Sequence, residues 1–152
     1  MEIEKLLLSV VAILGTLIAF KFKGIYHKII SVGLTISILL LWTGNSYFIT
    51  SSSIVISLLT IATFVYGLTA RELSKFERLS VTIMGVFLAV NFIFKLMHYP
   101  LAGQIKLSMI VPIIITLATL IKGKKLTKEM CFMIFWLFYA TFNFLSLWTM
   151  CY

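Results

Sequence analysis

The sequence contains no aspartate. Its five acids are Glu2, Glu4, Glu72, Glu77 and Glu129, and each lies at or beyond the end of an apolar run. Charged residues of both signs make up only 12% of the 152 residues, whereas a soluble domain carries about 25%. Hydrophobic residues make up 61% and the mean hydropathy is +1.10. A soluble chain this short cannot hide so much apolar surface, because small domains leave a large fraction of their surface in water. The composition fits lipid as its solvent, which makes the lipid bilayer the first partner implied.

Other absences exclude chemistry. There is no HExxH, no Ser/His/Asp set, no pair of acids inside an apolar run and no phosphate-cradling glycine loop, so nothing points to an enzyme. The two cysteines, Cys131 and Cys151, fall near opposite ends of one predicted helix. At 1.5 Å per residue that puts them about 30 Å apart, too far to pair within it. With no CxxC and no metal-ligand spacing they read as small apolar packers, and neither a metal nor another cofactor is expected. The net charge of +8 raises the question of nucleic acid. No basic stretch is long enough for such a site, and lysines collect at the cytoplasmic ends of membrane helices for other reasons. No nucleic-acid partner is expected.

Six apolar segments remain, at about 5–21, 25–43, 47–70, 80–97, 105–121 and 130–150, each near the 17–25 residues that a bilayer core requires. The expected fold class is all-α, a polytopic membrane helical bundle forming a single transmembrane domain over residues 1–152. The first segment, MEIEKLLLSVVAILGTLIAF, begins with acids rather than bases and no A-x-A-like site follows it. It reads as a retained first span rather than a signal peptide. The joints are short: KFKGIYHK, TGNS, RELSKFER, HYPLAGQ and KGKKLTKE. Joints one, three and five hold Lys21, Lys23, Lys28, Arg71, Lys75, Arg78, Lys122, Lys124, Lys125 and Lys128, ten of the thirteen basic residues. The other side receives only Lys5, Lys95 and Lys106. The positive-inside rule then places the odd joints in the cytoplasm and both termini on the outer side of the bacterial inner membrane. Trp42, Tyr47, Tyr99, Trp148 and Tyr152 fall at the predicted outer boundary, as an interfacial belt does.

Small residues recur at helical spacing: Gly15 and Ala19 on the first span, Gly33 and Ser37 on the second, and Ser53, Ser57, Thr60 and Gly67 on the third. Faces of this kind let helices approach closely and supply interhelical hydrogen bonds. The alternative is a polar stripe lining a pore. No internal duplication emerges; SVGLTIS, SVTIMGV and SMIVPII simply open three spans alike. Pro112 inside the fifth span removes a backbone hydrogen bond and predicts a kink, with Ser108 or a water satisfying the freed carbonyl. The aromatic sixth span, CFMIFWLFYATFNFLSLWTM, reads as a packing or lipid-facing surface.

The candidate functional face lies in NFIFKLMHYPLAGQ, residues Asn91 to Gln104. Asn91, Lys95 and His98 stand at i, i+4 and i+7, and so share one side of the fourth span near its end. Pro100 stops that helix and Gly103 relaxes the turn. The lysine has a bland reading, snorkelling to the interface. A cation beside a titratable imidazole also suits an anion site or a proton-responsive gate. Asn143 in the sixth span lies at a matching depth, so Asn91 and Asn143 are expected to face the bundle interior and bond to each other or across a subunit boundary.

Phe94, Lys95, Met97, His98 and Pro100 in FKLMHYP resemble the FKxMHWPGA-type element at the first helical hairpin of GldL-type gliding-motility motor proteins of Bacteroidota. Tyr99 stands where that element has tryptophan. The resemblance implies bacterial lineage and a shared hairpin geometry. GldL-like stators rely on a membrane-embedded glutamate in the helix that follows. Here that helix, IKLSMIVPIIITLATLI, contains no acid, which argues against a proton-driven motor. The expected function is therefore non-enzymatic action by assembly, as an oligomeric channel or pore-type effector or as a subunit bound to another membrane protein. The alternative is a small substrate-binding transport subunit that works with a separate energising partner.

Overall fold

The computed structural model describes residues 2–96, 102–122 and 127–149, and it is all-α, with no strand among them. The helices are α1 (Glu2–Lys21), α2 (Tyr26–Leu41), α3 (Ser46–Thr69), α4 (Lys75–Leu96), α5 (Ala102–Ser108), α6 (Ile110–Lys122) and α7 (Met130–Thr149). Four stretches are long and apolar enough to cross a membrane: Ile3–Lys21, Ser46–Thr69, Lys75–Phe94 and Gln104–Lys122. Tyr26–Leu41 and Met130–Ser146 are apolar but shorter. Six apolar helical stretches thus correspond to the six expected, four of them at full spanning length.

The helix boundaries have local causes. α4 starts at Lys75, five residues before the expected span, because Ser74 and Glu77 form a capping box. Glu77 Oε2 accepts from the Ser74 amide at 3.0 Å, and the Glu77 amide donates back to Ser74 Oγ at 3.3 Å. Arg78 then reaches back and donates to the carbonyl of Leu68 at 2.6 Å, occupying one of the orphan acceptors at the end of α3. The turn between α2 and α3 passes through Gly44 at φ +67, and Asn45 Oδ1 accepts from the Tyr47 amide to open α3.

The regular helix is interrupted at Met109, within one turn before Pro112. The proline ring clashes with the carbonyl four residues back, that of Ser108. α5 ends at Ser108 and α6 starts at Ile110. Between them the Met109 amide donates to Lys106 instead of Ile105. Ile105's carbonyl is taken over by the Ser108 hydroxyl at 2.7 Å. The Ser108 hydroxyl therefore serves Ile105's carbonyl and not the one that Pro112 frees, which corrects the sequence expectation.

The described chain divides into two compact units, Met1–Leu59 with Lys125–Phe135 and Thr60–Lys124 with Trp136–Tyr152. In the first unit, Leu8, Ala12 and Ala19 line the buried side of α1 with Gly15 between them. A Cβ on Gly15 would overlap the carbonyl oxygen of Cys131, so the two backbones touch there. Thr35 Oγ1 on α2 donates to the carbonyls of Ala12 (3.0 Å) and Ser31 (3.1 Å). Its single proton is then committed, so the 2.8 Å contact with Thr16 Oγ1 is a bond donated by Thr16. Trp42 Nε1 donates to Ser9 Oγ at 2.8 Å, fastening the far end of α2 to α1. Ser52 Oγ on α3 donates to the carbonyl of Ser37 at 2.6 Å, and Ser37 is fully buried.

In the second unit, α3 and α4 meet through a reciprocal pair of glycines. A Cβ on Gly67 would lie 2.7 Å from the backbone nitrogen of Thr82, and one on Gly85 would lie 2.6 Å from the backbone nitrogen and Cα of Phe64. Ser80 on α4 shares a hydrogen bond with Thr116 on α6 at 3.1 Å, both buried. Trp136, with no exposed surface, donates its indole N–H to Thr63 Oγ1 at 3.0 Å.

The small-residue faces are partly as expected. Gly15, Ala19, Ser37, Thr60 and Gly67 are buried and Gly33 packs on Leu59. On α3, however, the buried side runs through Ser52, Ile56, Leu59, Thr60 and Thr63. Ser53 and Ser57 sit on its flank and donate to carbonyls one turn back, at 3.0 and 2.8 Å. The correction has a simple cause: a helical face is set by 3.6-residue periodicity, and Ser53 lies about 100° around the axis from Ser52. The sixth span also resolves toward packing. Phe132, Phe135 and Trp136 are wholly buried, and outward exposure falls to Phe138 and Leu145.

Every spanning stretch presents large apolar side chains outward. On α6 these are Ile110, Val111, Ile114, Leu117 and Ile121. At about 1.5–3 kcal/mol each, removing those five from water is worth about 10 kcal/mol, comparable to the whole stability of a small domain. Surfaces like this require an apolar surrounding.

Candidate functional site

The sequence-derived face begins on α4. The periodicity that buries Val81, Met84 and Leu88 also turns Asn91 and Phe92 inward, and Asn91 keeps only 4% of its surface exposed. The amide therefore faces protein, as expected. The rest of that face lies largely outside the described residues. His98, Tyr99 and Pro100 are not described, and of Lys95 only the backbone position, one turn from Asn91 on α4, is given. Cys151 and Tyr152 are likewise outside the described residues, while Cys131 is a buried free thiol.

Asn143 is half-buried on α7, and its bond stays within its own helix: Nδ2 donates to the carbonyl of Tyr139 at 2.9 Å. No Asn91–Asn143 hydrogen bond occurs among the described residues. Nearby residues link the two helices by another contact, since Phe92 stacks on Tyr139 with ring centroids 5.9 Å apart and planes 5° from parallel. Tyr139 in turn meets Trp136 edge-on at 6.0 Å. Stacked and edge-on aromatic pairs contribute about 0.5–1.5 kcal/mol each beyond the area they bury.

Two groups that sequence reasoning passed over come forward. The first is Lys106. On sequence it counts only as a minor charge on the less basic side. The structure makes it half-buried on α5, with Nζ donating to Ser146 Oγ on α7 at 3.2 Å. Ser146 Oγ donates onward to the carbonyl of Asn143 at 2.8 Å. Lys106, Ser146 and Asn143 thus form one polar chain. Its signal in the sequence was faint: a lysine at the second position of an apolar run, with a serine on a different helix as partner. The second group is His27 with Ser31, one turn apart on α2 and each 2% exposed. His27 Nε2 and Ser31 Oγ have no hydrogen-bond partner among the described residues. His27 leans over Gly24, whose φ of +131 brings the chain under the ring, and meets Phe22 edge-on at 6.4 Å.

Among the described residues no three histidine, cysteine or acidic side chains gather as a metal site. No family model, curated protein or solved structure matches this chain.

Proposed function

We propose that this chain is a non-enzymatic, six-span protein of a bacterial inner membrane that acts by assembly, as an oligomeric channel or pore-type effector or as a subunit of a larger membrane complex. The observation that carries this reading is the outward apolar surface of every spanning helix, joined to helix crossings close enough to need glycine. Nearly all of the chain is thereby committed to packing in lipid or against another membrane protein. The alternation of basic joints supports an orientation with joints one, three and five in the cytoplasm and both termini outside. Exposed Trp42 and Tyr47 at the α2–α3 turn suit the opposite interface. The FKLMHYP element favours a lineage among the Bacteroidota, without the motor activity of its GldL-like counterparts.

Purified protein in liposomes tests the channel reading. A channel gives ion flux above protein-free vesicles; flux equal to theirs at every voltage and pH defeats that reading and leaves the subunit one, which predicts co-purification with a second membrane protein. Single cysteines placed at Gly44 and Arg71 test orientation. Impermeant thiol reagent added outside cells should label the first and spare the second, and the reverse pattern overturns the assignment.

A second reading, a substrate-binding transport subunit, is favoured by the buried Asn91 and the Lys106–Ser146–Asn143 chain in the second unit. It predicts a ligand-dependent rise in melting temperature that is lost when these residues are changed.

A further inference from the structure

We propose that the opening turns of α2, residues 26–31, form a hinged strap that swings out about Gly24 and releases His27 and Ser31 to water, with Thr35 as its fixed end. A channel and a subunit could each use such a strap.

The closed packing leaves hydrogen bonds unmade. His27 and Ser31 are each 2% exposed, yet His27 Nε2 and Ser31 Oγ have no partner among the described residues. Either tautomer of a neutral imidazole makes Nε2 a donor or an acceptor, and a hydroxyl is both, so each atom loses something when water leaves. A buried group left unmade weighs against the packed state by about tenfold in an equilibrium constant. Both atoms lie on one turn and weigh against the same segment. Packing closes over both, so water reaches them only when that segment moves.

The start of the helix also lacks a cap. Its N-cap is Ile25, which offers no side-chain bond, and the first turn holds no acid. It holds Lys28 instead, a cation at the positive end of the helix dipole, with Nζ over the Phe20 ring at 5.6 Å. Beneath the imidazole the chain turns at Gly24 with φ +131, a conformation that glycine adopts freely. A Cβ there would stand 2.8 Å from His27 Cε1, so the ring lies closed against bare backbone. Lys23, Gly24, Ile25 and Tyr26 are exposed, which makes the cover on that side a solvent-facing joint. Burial of Ile30 and of the ring holds the strap closed. Its far limit is Thr35, bonded to Ala12 and Thr16 on α1, with Trp42 fastened to Ser9 beyond it.

The test is amide hydrogen exchange on the full chain in nanodiscs, read by mass spectrometry. The Ile29 amide donates to the Ile25 carbonyl as the Arg78 amide donates to that of Ser74, so the uncapped and capped helix starts are matched in register. Amides 29–31 should exchange at least about tenfold faster than amides 78–80. His27→Phe keeps a ring, removes the orphaned nitrogen and should slow exchange at 29–31 about fivefold. Gly24→Ala sets a methyl against the closed ring and should speed it about tenfold. Gly44→Ala, also at positive φ but with nothing facing it, should leave 29–31 unchanged. The His27 ring should react with diethyl pyrocarbonate in wild type and faster in Gly24→Ala. Exchange at 29–31 as slow as at 78–80, no slowing by His27→Phe, or a ring that stays unreactive overturns the proposal. Equal acceleration by Gly44→Ala and Gly24→Ala does so too. If Gly24→Ala does not fold, His27→Phe still decides.

Discussion

The two units solve the same problem, holding apolar helices together in an apolar solvent, in different ways. In the first unit, α1 and α2 are neighbours in sequence and are tied by hydroxyls and an indole: Thr16 to Thr35, Thr35 to Ala12, Trp42 to Ser9. In the second, α3 and α4 rely on backbone proximity at Gly67 and Gly85, and the buried hydrogen bonds reach far along the chain, from Trp136 to Thr63 and from Ser80 to Thr116. Lipid tails are as apolar as leucine, so hydrophobic burial between helices offers little. Van der Waals contact at close range and interhelical hydrogen bonds remain. A bond at one position can be lost without moving a helix, but a clash with backbone cannot be relieved by a rotamer change.

That contrast predicts an order of effects. The largest belongs to the reciprocal glycines: Gly85→Ala and Gly67→Ala each put a carbon against backbone and should cost about 2–3 kcal/mol, read as loss of folded fraction in a detergent unfolding titration. A cost below about 0.5 kcal/mol for both would remove the distinction between the units. Gly15→Ala tests the one comparable crossing in the first unit, against the carbonyl of Cys131, and should cost about 2 kcal/mol by the same measurement. Trp136→Phe comes next. It keeps an aromatic ring of smaller volume but removes a buried donor to Thr63, and should cost about 1–2 kcal/mol, with a matching fall in melting temperature. The smallest effect is Thr35→Val, which removes two interhelical contacts in the first unit. Membrane hydrogen bonds average about 0.6 kcal/mol, so a loss of about 1 kcal/mol or less is expected in the same titration. A loss larger than that of Gly85→Ala would invert the comparison.

His27 and Ser31 complete the contrast. Among the described residues, the first unit buries two side-chain polar atoms with no hydrogen-bond partner, and no comparable pair occurs in the second. Removing a buried group that has no protein partner forfeits no protein hydrogen bond.

Much of the fold could be read from composition and periodicity. The apolar runs placed six helical stretches, Pro112 marked where the fifth departs from a regular helix, and the small residues at Gly15, Ala19, Ser37 and Gly67 are buried. Boundaries governed by caps were less legible. Ser74 and Glu77 extend α4 into what hydropathy alone reads as a polar joint, because the cap acts through hydrogen bonds and not through apolar content. Gly85 was passed over because its significance depends on what faces it, and Phe64 is twenty-one residues away. The candidate site was legible in part: Asn91 is buried as its period requires, but Asn143 bonds within its own helix.

By itself, then, the sequence determined the solvent, the helical class and the approximate spans, because each follows from residue composition and local period. Only the tertiary structure decided which small residues form crossings, that Ser52 and not Ser53 turns inward, and that Lys106 meets Ser146. Those outcomes depend on the rotation of one helix against another, and a chain's own periodicity does not specify its partner. The absence of aspartate and of any acid within a span, evident from composition, fits that last contact, where a half-buried ammonium donates to a hydroxyl rather than to a carboxylate.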